Sequence, residues 1–298
     1  MNIFTILFDL IGLLCNLFII LTATIHRPLR TVTNLLIANT CTAGILFAMA
    51  DISIVIRVNE FDRLPTGEFP VERDLFCETR TYLVLLASNG VYQSLAVQAL
   101  SRYFFVIYHK KKQLQTLKVH ILMIVVQWVF TMLILAPFFL KKTLVFEYWT
   151  LTYVCVFPKS SLLITVYRSL AGLLIPVTLI ISIYLAVLRY IRQRGRRQHR
   201  RYERDKQRLV RLMILLSLFS AGGIPLALFS LLELTEVLKP APPYASRLIF
   251  FIASITFVCY SITKLVTNRE LKQIMNNVLL ENRRRFRRIN AEQSETKF

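Results

Sequence analysis

The stretch NIFTILFDLIGLLCNLFIILTATIHRPLR, residues 2–30, decides the fold class. Residues 2–25 are apolar with almost no charge, and His26, Arg27 and Arg30 follow at once. A helix rising about 1.5 Å per residue needs about 20 such residues to cross ~30 Å of hydrocarbon. The run lacks a basic leader and a small-residue cleavage pattern, and it is too long for the apolar centre of a secretion signal. It therefore reads as a retained span. The cations after it predict an N-terminus outside and a first loop inside.

Working outward, further apolar runs occupy about 32–56, 75–108, 119–140, 162–190, 209–235 and 245–266, giving seven spans. The gaps between them alternate in charge. The second gap, 58–74, is acidic, with Glu60, Asp62, Glu68, Glu72 and Asp74, whereas Lys110, Lys111, Lys112 and the stretch Arg192–Arg211 are strongly basic. The formal net charge of +20 is thus distributed as membrane topology distributes it, which removes the case for nucleic acid. The C-terminus is expected in the cytoplasm and the protein in the plasma membrane.

Local pattern fills in the rest. The loop 141–160 alternates aromatic and β-branched residues as a hairpin does. The fifth helix is expected to run on into the basic linker 192–211, and the sixth to be broken at Gly222, Gly223 and Pro225. After Asn268, Leu271, Ile274, Met275, Val278 and Leu279 recur at helical spacing opposite a Lys/Arg-rich face, the pattern of a helix lying in the membrane interface. The chain divides into a seven-helix domain, 1–267, and an amphipathic helix with tail, 268–298. The fold class is all-α, a seven-transmembrane helix bundle.

Five cysteines are present. Cys15, Cys41 and Cys259 fall inside apolar runs and behave as small hydrophobes, whereas Cys77 and Cys155 fall in outside gaps, where disulfides persist. The four histidines are scattered and no metal-ligand spacing occurs, so neither a metal nor a cofactor is expected. No constellation of His, Asp and Glu lies within a span, so an enzyme is not expected.

Cys77 precedes Arg102 of Ser101-Arg102-Tyr103 by 25 positions, about 37 Å of helix, which puts the two at opposite ends of one span. Trp128, Pro176, Tyr184, Phe219 and Pro225 lie at fixed depths in the next three spans. Asn16 lies in the first, and Asn34-Leu35-Leu36-Ile37-Ala38-Asn39 opens the second. In this joint spacing the chain resembles the rhodopsin-like G-protein-coupled receptors over roughly residues 5–285. The resemblance implies a disulfide between Cys77 and Cys155. It gives Arg102 and Tyr103 to G-protein coupling, makes Asp205 the partner of an Arg102 latch, and hands Arg102 to Tyr184 on activation. Pro176, Phe219, Gly222, Gly223 and Pro225 would form the hinge region. A static kink at Pro225 reads the sequence equally well.

Departures are numerous. Ser101 stands where the family has an acid, Gly44 where it has the second helix's aspartate, and Gly223 where it has a tryptophan. Tyr260-Ser261-Ile262-Thr263-Lys264 replaces Asn-Pro-x-x-Tyr. Val91 and Thr256 leave no sodium site by analogy. Lys264, near the end of the last span, is expected to snorkel. Ser254 takes the place of the opsins' retinal lysine, which disfavours light sensing, and Val84 that of the amine receptors' aspartate.

By analogy a ligand enters from outside among helices three, five, six and seven, where Arg80, Asp51, Val84, Ser88, Arg168, Glu233 and Arg247 are the candidates. Arg168, two turns inside helix five, points to a peptide or an acidic small molecule, against an internal pair with Glu233 or snorkelling. The function expected is a receptor carrying an extracellular signal to a heterotrimeric G protein, with anionic membrane lipids as further partners. A signalling-deficient scaffold or decoy is the alternative. A transporter is disfavoured because the halves show no internal repeat.

Overall fold

The structure, a computed structural model, describes residues 2–25, 31–61, 76–140, 147–149, 154–156, 162–194, 199–234 and 243–267. The helices are α1 (Asn2–Ile25), α2 (Val32–Phe61), α3 (Cys77–Val106), α4 (Leu117–Leu140), α5 (Leu162–Ser169), α6 (Ile175–Arg194), α7 (His199–Leu234) and α8 (Pro243–Thr267). A wide π turn, Leu170–Leu174, joins α5 to α6 without a break, so the two make one crossing and the bundle has seven. Six crossings are long and apolar enough to span a membrane by length and composition, and α7 carries a shorter apolar stretch, Val210–Pro225.

The distribution of polarity is that of a membrane bundle. Leu14, Leu21, Leu122, Val126, Phe130 and Leu133 face outward, while Asn16, Asn39, Gln98, His120 and Ser254 are buried. Hydrocarbon offers a polar group no partner, so the polar groups turn inward and bond across helices. One such knot joins three helices: Trp128 Nε1 donates to Asn39 Oδ1 at 2.9 Å, Asn39 Nδ2 donates to Gln127 Oε1 at 2.6 Å, and Gln127 Nε2 donates to Gly90 O of α3 at 3.5 Å. Another joins α2 to α3, with Gln98 Nε2 donating to Thr40 Oγ1 at 2.6 Å.

α3 is the hub, packed against α2, α4, α6 and α7. The main apolar core gathers Phe47, Val91, Tyr92, Ile180, Phe219, Phe257 and Tyr260 from five helices. At the end of α3 that carries Cys77, the strands β1 (Glu147–Trp149) and β2 (Val154–Val156) pair antiparallel with Tyr148 opposite Cys155, and β2 lies against α3. The hairpin is where the alternation in the loop predicts it.

One local expectation changes. α6 is described as far as Arg194, and the basic stretch from His199 to Arg211 is helical as the start of α7. α7 is not broken at Gly222-Gly223-Ile224-Pro225, but helical throughout with Pro225 inside it. Neighbouring turns in a bundle can satisfy the carbonyl that a proline frees. The amphipathic helix expected after Asn268 lies outside the described residues.

Candidate functional site

Toward the Cys77 end, α2, α3, α5, the π turn, α7 and α8 enclose a cavity of about 130 Å³. Its walls are mainly apolar, with Ser88, Asn89, Thr256 and Arg168 supplying polarity. Among the described lining residues Arg168 alone carries a charge. Its place follows from the local chain, because Arg168 lies on the last turn of α5, where the helix widens into the π turn. Such single wide turns recur at functional sites.

Three glycines shape this cavity by what they leave out. A Cβ on Gly172 would lie 2.5 Å from Asn89 Oδ1, and one on Gly223 would lie 2.5 Å from the Tyr92 hydroxyl. Gly222 faces Thr256 in the same way. Tyr92 thus occupies space next to position 223, where the sequence lacks the expected tryptophan. Its hydroxyl donates to Phe219 O at 3.4 Å, and its ring meets that of Phe219 edge-on at 4.8 Å. A tyrosine on α3 and a glycine on α7 therefore share one volume. The glycines expected as a hinge thus meet close side-chain contacts here, at Thr256 and Tyr92.

Of the ligand candidates, Ser88 and Arg168 line the cavity, as do Phe219, Gly222 and Gly223 of the hinge set. Arg80 and Val84 are not among the lining residues; Val84 packs against Ile54 and Val58 instead. The side chains of Glu233 and Arg247 lie outside the described residues. Pro176 follows the π turn directly, at the second position of α6. Asp51 is not among the lining residues. Ser254 Oγ reaches both Asp51 Oδ2 and Asp9 Oδ2 at 3.3 Å, tying α2, α1 and α8 together. Both aspartates are buried, and the Oδ1 atom of each meets no hydrogen-bond partner.

The Arg102 end is where the latch is expected. Arg102 Nη2 donates to Thr33 Oγ1 of α2 at 3.2 Å. The Asp205 side chain lies outside the described residues. Tyr184 is buried against Val187 among Tyr103 and Val106, and its hydroxyl has no hydrogen-bond partner. Ser101 lies 2.9 Å from His120 Nε2. Because His120 Nδ1 sits 2.8 Å from the Thr116 carbonyl, a neutral ring donates through Nδ1 and accepts the Ser101 proton at Nε2. The residue replacing the family's acid is thereby spent on anchoring α4 to α3.

Lys264 does not snorkel. It is only 4 % exposed, its Nζ donates to Asn16 Oδ1 at 2.9 Å, and Cys41 Sγ lies 3.6 Å away. The ammonium also stands 4.5 Å from the centre of the Tyr260 ring. Asn16 in turn donates to Ser261 Oγ at 3.0 Å. A buried ammonium is tolerable where several dipoles and a ring face surround it. Together with Thr33, Arg102 and Arg211, Lys264 and Tyr260 border a second, smaller cavity at this end of the bundle.

Asn89, Tyr92, the Asp9–Asp51–Ser254 group and the setting of Lys264 were absent from the sequence reading of the site. Each depends on helices far apart in the chain, and no local pattern marks it. Cys77 is disulfide-bonded while Cys15, Cys41 and Cys259 are free, and the side chain of Cys155 lies outside the described residues.

No sequence relative is found among curated proteins. Among solved structures the chain is similar to squid rhodopsin, with a TM-score of 0.78 and 16% sequence identity over 93% of this chain and 84% of that one. At that identity the likeness is one of fold. The model of the seven-transmembrane receptors of the rhodopsin family matches residues 15–268, and the chain belongs to that family.

Proposed function

We propose that this protein is a cell-surface receptor, N-terminus outside, that passes the binding of an extracellular acidic ligand to a heterotrimeric G protein. The observation that carries the ligand class is the position of Arg168 on a mainly apolar cavity in which no other described lining residue is charged. Such a cavity favours a ligand with an apolar body and one anionic group. Engagement of Arg168 within the protein does not conflict with this, because a guanidinium offers five donors. Ser88, Asn89 and Thr256 supply the neutral polar contacts.

Coupling would use Arg102 and Tyr103 with the basic start of α7, which also favours anionic lipid on that side. The disulfide of Cys77 would be to Cys155, holding the hairpin over the cavity mouth. A second reading, a receptor-shaped scaffold without signalling, is favoured by one observation: the Tyr184 hydroxyl is buried without a partner instead of standing ready for Arg102.

The test is nucleotide exchange on G proteins by the purified receptor, with Arg102→Ala as control and a panel of carboxylate and phosphate compounds as ligands. Exchange that rises with an acidic compound, and is lost in both Arg102→Ala and Arg168→Gln, is the expected result. Exchange indifferent to Arg102→Ala would overturn the coupling. Stimulation by neutral or cationic compounds that survives Arg168→Gln would overturn the ligand class.

A further inference from the structure

The group formed by Asp9 of α1, Asp51 of α2 and Ser254 of α8 is short of protons. All three side chains are buried, the least of them at 1 % exposure. Ser254 Oγ reaches Asp9 Oδ2 and Asp51 Oδ2 at 3.3 Å each, and the Phe250 carbonyl at 3.1 Å. A serine has one hydroxyl proton, which cannot serve all of these acceptors. The Oδ1 atoms of Asp9 and Asp51 add to the deficit, since each is buried without a donor. The two carboxyl groups also stand within hydrogen-bonding reach of each other. Ionised carboxylates only accept, so that contact becomes a bond only when one of them carries a proton.

No described cation takes that proton's place. Among the described residues, Asp9 and Asp51 have as polar partners only each other and Ser254. Lys264, about 15 Å further along α8, is held by Asn16 and Cys41, with Tyr260 and Cys15 beside it. Arg57 of α2 is exposed and paired with Glu60. Glu78, Arg80 and Tyr82 of α3 and Arg211 of α7 exert no charge effect on either carboxyl. The site is also closed. A Cβ on Gly12 would collide with the Phe257 ring, and Phe8 packs on Phe251 with ring centres 5.9 Å apart, so α1 meets α8 tightly on either side of Asp9. Neither described cavity is lined by Asp9, Asp51 or Ser254. A proton fits where a hydrated metal ion does not.

We propose that Asp9, Asp51 and Ser254 form a proton-binding site, in which one proton held between the two carboxyl groups clamps α1 to α2 beside α8. A proton on one orphaned oxygen turns an acceptor without a donor into a donor for the other carboxyl. Losing it sets two buried carboxylates against each other and loosens the clamp. The site needs only the bundle, so it stands apart from the extracellular ligand and from G-protein coupling.

The sign of the pH dependence follows. Unfolding exposes both groups to water, where an aspartate is ionised above about pH 4. The held proton is then released, so stability falls as pH rises, by up to about tenfold in the folding equilibrium per pH unit, until the folded pair itself gives the proton up.

The experiment follows the thermal midpoint of the full chain in phosphatidylcholine nanodiscs from about pH 5.5 to about pH 8, at constant ionic strength. Asp51→Asn, and Asp9→Asn combined with Asp51→Asn, put an amide donor where the proton would be. Their midpoints should fall less with pH than that of the unaltered protein, and should exceed it most at the alkaline end. Infrared spectra at neutral pH should show the carbonyl stretch of a protonated carboxyl in the unaltered protein, weakened or lost in the doubly substituted one. Equal pH dependence in the unaltered protein and both variants would overturn the proposal, as would a carboxyl band that the double substitution leaves in place. So would a midpoint rise in sodium against a bulky organic cation that Asp51→Asn abolishes, because a metal ion would then fill the deficit.

Discussion

The helices α1, α2 and α8 build two buried ionic groups at two levels, and the two are opposite in sign and in quality. Nearer the Cys77 end, Asp9 and Asp51 share the single hydroxyl of Ser254, and two carboxylate oxygens are left without partners. Ten residues further along α8, about 15 Å, Lys264 is met by an amide oxygen, a thiol and a ring face. The same three helices thus carry one ionisable cluster whose groups oppose each other and one whose groups agree. Burial alone does not decide whether a charge stabilises; the completeness of its surroundings does.

The largest effect should come from stranding the satisfied charge. Asn16→Ala removes the oxygen that holds Lys264 Nζ and also the bond to Ser261, and should lower stability by about 3–5 kcal/mol, read as a fall in the thermal midpoint of the ligand-free protein. The acidic group should answer with the opposite sign. Asp51→Asn keeps the shape and a bond to Ser254 but replaces one of two crowded buried acids by a neutral amide, and should raise stability by about 1–2 kcal/mol in the same assay. A loss there would break the comparison. Ser261→Ala deletes only a neutral hydroxyl from the Lys264 group and should cost about 1 kcal/mol. Arg57→Ala, which cuts an exposed pair with Glu60 at 2.9 Å, should change the midpoint by no more than about 0.5 kcal/mol allows.

Why one group was partly legible in the sequence and the other was not follows from what each depends on. The extent of α1, roughly 2–25, could be read, because an apolar run and the charges ending it are local. The hairpin was legible for the same reason. Lys264 was misread because a lysine three residues before the end of the described helix has the address of a snorkelling residue. Only the packing of α1 and α2 against that turn of α8 makes it interior. Asp9 and Asp51 meet through a serine 245 and 203 positions away, a coincidence that no periodicity encodes. The cavity lies between. The missing tryptophan at Gly223 was visible as a deficit, but that Tyr92 fills the space next to it depends on the depth at which α3 faces α7. Arg168 stood out because a cation inside an apolar run is anomalous in itself.

α7 gives the bundle a mechanical property. From Pro225 to His199 the helix is continuous, about 39 Å long at about 1.5 Å per residue. Pro225 lies close to the cavity glycines, so under the proposed function the rod below it would be a lever with its fulcrum beside the cavity. A change of about 10° in the bend at that fulcrum would carry the basic tip through about 7 Å, without altering a single hydrogen bond along the arm. Movements of tenths of an ångström around Tyr92 and Gly223 would then reach the other face of the membrane enlarged by the leverage of the rod.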